Sequence, residues 1–302
     1  MTLQDQIAGV LGREAIEVGF SAVHLPSGET VEINADAPFP TASVCKVPIM
    51  VEVYRQAREG HFSLGDRLRL EEEKKTLTTG VLLTLDPGLQ PTIRDLCTLM
   101  TIISDNTATT MLLELVGAAQ VTATMAALGL PSIRVTMTVH EMFLHAFGLP
   151  LDRPVDVPEL VEAARHRPMD YSSLTFARTP DNTVASAGDM TRLMALLARR
   201  ELVDAEASEE MIAILRRQQY ADRVPRYLPW RSVANKTGSM RGLRNDSGII
   251  ERGPDDLIAF TLFTFDPTPL PPANSPLLVE RNQRVSALMA EVGQALWDRH
   301  GR

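Results

Sequence analysis

Residues 231–265, RSVANKTGSMRGLRNDSGIIERGPDDLIAFTLFTF, decide the architecture of this chain. Within them, 231–235, 247–251 and 257–265 are rich in β-branched and apolar residues and are separated by glycine-containing turns, the pattern of consecutive antiparallel strands. An amphipathic helix follows over about 278–297. Working outward to the other end, residues 3–11 have the helical spacing of apolar positions. Two short strand-like runs, 18–24 and 30–33, then flank the turn Pro26-Ser27-Gly28. Between the two ends, from Thr41 to about Leu130, the signals are helical, broken at Gly60, Gly80 and Asp86-Pro87-Gly88. Further helices are expected near 184–200 and 208–219.

Strands at both ends with helices between imply one antiparallel sheet assembled from the two chain ends, flanked by terminal helices, with a helical insert. The expected class is therefore α+β, an α/β sandwich with an all-helical part. Residues 1–40 and 220–302 form the α/β part, and 41–219 the helical part, of a single unit over 1–302. Residues 136–182 carry several prolines and no sustained period, so a long irregular connection with one helix near 157–166 is expected. Loops of that length in compact domains tend to be functional.

A chain of 302 residues buries a substantial core without disulfides or a structural metal. Its net charge of −8, with no run of Lys and Arg, argues against nucleic acid and an anionic membrane surface as partners. The two cysteines, Cys45 and Cys97, have no Cys or His at metal-ligand spacing and are expected as buried thiols. Gln4, Asp5, Arg13 and Glu14 interrupt the first twenty residues, which thus lack the apolar core of a signal peptide. As written, the chain is expected to be soluble and unexported.

Three short patterns carry chemistry. Ser43-Val44-Cys45-Lys46 has the form S-x-x-K, which on a helix brings a hydroxyl and a base to neighbouring faces; Pro48 should bend or delay that helix. Ser104-Asp105-Asn106 sits between two helical runs, where Ser104 could pass a proton and Asn106 could hold Lys46 and a substrate amide, although all three residue types also favour a plain N-cap. Lys236-Thr237-Gly238 is read as a strand end entering a turn, a cation and a hydroxyl followed by a residue without a side chain, so that a ligand can lie along the backbone. Singly these are weak. The chain has four lysines, two of them inside these patterns, and an ordered chance match of all three falls well below about one in a thousand.

In that order, S-x-x-K, S-D-N and K-T-G resemble the signature of class A β-lactamases and penicillin-binding proteins. The stretch 41–49 resembles that family's nucleophile helix, proline included; 96–113 resembles the helix pair around its S-D-N loop, and 236–250 its K-T-G strand and hairpin. The resemblance implies a β-lactamase/transpeptidase-like fold and acyl transfer from a β-lactam, or a related amide or ester, by a monomer without metal or cofactor. Ser43 is the implied nucleophile, Lys46 or a water held near it the base, and Ser104 and Lys236 the donors to the leaving nitrogen. Backbone amides of Ser43 and Ser239, the latter following Gly238, would form the oxyanion hole. Thr237 would grip the substrate carboxylate, with Arg244 or Arg241 adding charge.

The family's deacylating glutamate lies in a local E-x-x-L-N pattern. Here the nearest match is Glu141-Met142-Phe143-Leu144-His145, with His145 in place of asparagine, so Glu141 is the implied base and Asp170 and Glu159 are alternatives. The same stretch mimics a zinc-protease motif, but its histidines, His140 and His145, are one residue too far apart to share a metal on a helix. Three functions follow as expectations: a β-lactamase; a peptidase, esterase or slow penicillin-binding protein; and a sensor acylated once.

Overall fold

The computed structural model describes residues 2–77, 79–266 and 275–299. In chain order the elements are α1 (Leu3–Leu11), β1 (Glu17–His24), β2 (Thr30–Ile33), β3 (Pro38–Pro40), α2 (Lys46–Arg58), α3 (Ile93–Ile102), α4 (Asn106–Val116), α5 (Ala118–Ala127), α6 (Val139–Phe147) and α7 (Val157–His166). There follow β4 (Val184–Ser186), α8 (Ala187–Ala198), α9 (Ala205–Leu215), β5 (Val233–Met240), β6 (Leu243–Gly253), β7 (Asp256–Phe265) and α10 (Pro276–Arg299). Two compact units divide the chain: Met1–Val44 with Ala185–Arg302, and Cys45–Val184.

The first unit is built on a five-stranded sheet of order β2-β1-β7-β6-β5. The pairings β1–β2, β1–β7, β5–β6 and β6–β7 are all antiparallel, so the first strands and the last ones share a sheet. Helix α1 starts on a capping box between Thr2 and Asp5 and buries Leu3, Ile7 and Leu11, one face at helical spacing. With Met289, Val292 and Leu296 of α10, these residues cover Phe20, Phe260, Leu262 and Ile250 of the sheet. Helix α8 packs on β1, β6 and β7, where the Thr191 hydroxyl donates to the Ser21 carbonyl at 3.0 Å. Covered on both faces, β7 reads as a nearly continuous apolar run rather than an alternating one.

The second unit is helical. Helix α2 is buried from Lys46 through Tyr54 and packs against α3, α4 and α5. Pro48 stands in its first turn, where the missing amide has no intrahelical partner to lose, and the α-helix begins only at Lys46, after a 3-10 turn over Ala42–Cys45. Among the described residues no single helix is long and apolar enough to cross a membrane.

Three expectations change. The helices expected near 184–200 and 208–219 form as α8 and α9, yet they belong with the sheet and not with the helical part, because their apolar faces pack on β1, β5 and β7. The K-T-G residues do not end a strand: β5 runs on to Met240, with Lys236 opposite Ser247, Thr237 opposite Asp246 and Gly238 opposite Asn245. In the long connection, α7 lies where one helix was expected, and α6 is a second. Thr138 caps α6 in a box with Glu141, and its Met142, Phe143, Ala146 and Phe147 are buried.

Candidate active site

Ser43 lies in the 3-10 turn Ala42–Cys45, which runs directly into α2. Of residues 39–54 it alone is not buried, so the chain carries one accessible hydroxyl into an otherwise closed stretch. Ala42 before it has φ of +45°, a left-handed conformation that costs an L-residue about 1–2 kcal/mol and is held by its surroundings.

In the helical unit, the first residue of α2 is Lys46, 1 % exposed. Its Nζ donates to the Ser104 carbonyl at 2.8 Å, the Ser104 Oγ at 2.9 Å and the Asn106 Oδ1 at 2.8 Å. Burial pulls this lysine down to about 7, outweighing the opposing pull of Cys45 and Asp105. The acceptors are themselves fixed. Asn106 Nδ2 donates to the Leu77 carbonyl at 2.7 Å, which settles the orientation of its amide, and Thr79 Oγ1 donates to the Ser104 carbonyl at 2.6 Å. Asp105 caps α4 through the Ala108 amide and also accepts from the amides of Val81 and Leu82. Gly80, at φ +110°, approaches so closely that a Cβ there would lie 2.2 Å from the Asp105 carboxylate. Within Ser104-Asp105-Asn106 the cap therefore falls to Asp105, while Ser104 and Asn106 accept from Lys46.

In the sheet unit, Lys236 and Thr237 are buried in β5, and Lys236 Nζ donates to the Thr237 carbonyl at 2.6 Å. A Cβ on Gly238 would meet the Thr41 carbonyl at 2.6 Å and the Ser43 nitrogen at 3.2 Å. The glycine of K-T-G is therefore required because the backbone that carries Ser43 presses on the strand. Ser239 is exposed, and its Oγ accepts from Arg223. The guanidinium of Arg223 also donates to the carbonyls of Gly238, at 2.7 Å, and of Asn245. Burial and the neighbouring Arg244 bring Arg223 down to about 10, with Asp246 and Asp222 opposing. Asp246, buried opposite Thr237, is pushed up to about 6 by burial; it accepts from Asn235 Nδ2 at 2.7 Å.

The arrangement departs from the sequence reading at its cations and at its carboxylates. Arg244 donates to Asp222 at 2.5 Å and to the Ser286 hydroxyl of α10 at 2.8 Å, and Arg241 is half-buried on the β5–β6 hairpin. The guanidinium on Gly238 and Ser239 is that of Arg223, to which the motifs gave no role. Glu141 is exposed and closes the capping box of α6, accepting from the Thr138 amide at 2.7 Å and hydroxyl at 2.9 Å. Asp170 is also exposed; Ser172 donates to its carboxylate and holds it below the usual range, as Arg153 does for Glu159. The three carboxylates bond instead to Thr138, Ser172 and Arg153. The signal for Glu141 was legible, since T-x-x-E ahead of an apolar helical run is a capping box.

A model of the Beta-lactamase enzyme family matches residues 2–300. The chain belongs to that family. Its fold is that of β-lactamases and transpeptidases. It is 28% identical to a solved β-lactamase of Sphaerobacter thermophilus, over 99% of this chain and 97% of that one, with a TM-score of 0.75. It is 22% identical to PBP-A, over 98% of this chain and 94% of that one, at a TM-score of 0.76, a likeness of fold. Among curated proteins it is 25% identical, over 95% of both chains, to the β-lactamase regulatory protein BlaB of Streptomyces cacaoi. The chain is thus similar to one protein named a β-lactamase and to one named for regulation.

Proposed function

We propose that this chain is a serine acyl-transfer enzyme that reacts with β-lactams by forming an ester at Ser43, and that release of this ester is the slow step. One observation carries the reading: a lysine brought down to about 7, in hydrogen-bond contact with a second hydroxyl and three residues along the chain from an accessible serine. Near pH 7 about half of such lysines are neutral. The Ser43 Oγ attacks the lactam carbonyl carbon while its proton passes to the Lys46 lone pair. The amides of Ser43 and Ser239 receive the negative charge that develops on oxygen. As the carbon–nitrogen bond breaks, the nitrogen takes a proton from the Ser104 Oγ, which Lys46 replenishes. Lys236 and Thr237 serve the substrate carboxylate, a role for which Arg223 is placed better than Arg244 or Arg241 because it is seated on Gly238 and Ser239. The scheme uses no metal and no cofactor.

Slow release follows from the second half-reaction, which needs a base to deprotonate a held water. Glu141 is committed to a helix start and Asp170 to a turn, which favours the acyl-accepting reading over rapid hydrolysis; the regulatory name of the BlaB relative fits it. The test is intact-protein mass spectrometry after benzylpenicillin. The expected result is an adduct at Ser43 that outlasts many minutes, absent in Ser43→Ala, with Glu141→Gln and Asp170→Asn losing it at the wild-type rate. Rapid return to the free mass, slowed in Glu141→Gln, would make the protein a β-lactamase with that glutamate as base. A wild-type chain that leaves the drug intact and takes no adduct would leave peptidase or esterase chemistry.

A further inference from the structure

Gly238 of β5 and Asn245 of β6 are directly opposite partners, so their side-chain positions lie on the same face of the sheet. The face they share meets Thr41, two residues before the nucleophile. Gly238 leaves space there, since a Cβ would lie 2.6 Å from the Thr41 carbonyl. Asn245, fully buried, reaches across beside it: its Nδ2 donates to the carbonyls of Pro40 at 2.9 Å and Thr41 at 3.1 Å, while its Oδ1 accepts from the Thr264 amide of β7 at 3.0 Å. Every hydrogen of that amide nitrogen is used on the segment leading into Ser43. The Thr41 carbonyl also accepts from the Val44 amide at 3.1 Å, the bond that closes the turn holding Ser43. Arg223 fastens the pair from behind, donating to the carbonyls of both Gly238 and Asn245.

From this geometry we infer that Asn245 is a positioning residue for the nucleophile, setting the Ser43 amide against the Gly238–Ser239 backbone so that the two amides converge on one oxygen. The inference rests on the acyl-transfer reading above. A donor amide displaced by about 1 Å costs on the order of a hundredfold in rate even where binding is preserved. Asn245 touches no reacting atom, so its removal should act on the chemical step and leave the non-covalent complex alone.

The experiment measures Ser43 modification by benzylpenicillin, with the rate constant of the chemical step separated from the binding constant, and by a fluorophosphonate, which reports any activated serine. Asn245→Ala should slow the chemical step about a hundredfold with both probes and change penicillin binding by less than about threefold. Asn245→Asp gives a signature that a merely structural role does not move. Its protonated carboxyl can still donate to the Thr41 carbonyl, whereas its carboxylate faces two carbonyls with no proton, so its modification rate should fall as pH rises while the wild-type rate climbs. A folded Asn245→Ala protein reacting within about threefold of wild type overturns the inference, as does an Asn245→Asp pH profile that parallels wild type; the latter decides if the alanine variant does not fold. If wild type takes the fluorophosphonate but not penicillin, the lactam reading fails alone and the fluorophosphonate rates judge Asn245. If Ser43 takes neither, both fall.

Discussion

Lys46 is held by three acceptors and yet brought down to about 7, because removal from water costs the ammonium more than its neighbours return. The acylation rate should therefore rise with pH to a plateau, with a midpoint near 7, as the neutral amine accumulates. Asn106→Asp exchanges a neutral acceptor for a charged one 2.8 Å from Nζ and so favours the ammonium. Its midpoint should move to higher pH, and stopped-flow acylation between pH 5.5 and 9.5 would read the shift. A midpoint unchanged in that variant would mean that Lys46 is not the group titrating. At this scale the sequence was most legible where residues act locally. S-x-x-K and S-D-N name their side chains within four positions of one another, whereas Asn245 grips a carbonyl 204 positions away and offers no local sign.

Strand β5 was legible only in part. It opens on Val233 and Ala234, but Lys236 and Gly238 are poor strand formers by propensity, and their pairing comes from β6 opposite, where the polar run Arg244-Asn245-Asp246 falls in a stretch read as a turn. Tertiary pairing overrode both readings. Gly238 is the position where this element has no slack: Gly238→Ala puts a methyl 2.6 Å from the Thr41 carbonyl. The expected loss is about 1–3 kcal/mol, as for other overpacked sites, together with loss of acylation at Ser43. Thermal unfolding and mass spectrometry on the same sample would check both, and a stable variant still acylated at the wild-type rate would contradict the close approach.

Across the whole molecule, the alternation of strands and helices along the chain was enough to foresee a sheet drawn from both ends, since periodicity survives in each element separately. It could not say that α8 and α9 side with the sheet, because an apolar helix face does not name what it packs on. Burying Lys46 also leaves a mark on global stability. Its folded value is about 7 against 10.5 for the free side chain, so between those limits the unfolded chain binds the extra proton and stability rises with pH. Urea unfolding of wild type and Lys46→Met at pH 7 and 9 should show the wild type gaining on the variant as pH rises, and a constant difference would refute it.

Ala42 and Ser104 are held left-handed, at φ +45° and +57°. Glycine at position 42 relieves the conformation at the cost of chain entropy, for a net gain of up to about 1 kcal/mol, whereas at position 104 it also removes the hydroxyl that accepts from Lys46. Ala42→Gly should thus raise the unfolding midpoint, while Ser104→Gly should be no less stable than Ser104→Ala although both lose acylation. At position 104 two demands therefore oppose each other: the backbone favours a residue without a side chain, and the buried ammonium of Lys46 favours a hydroxyl.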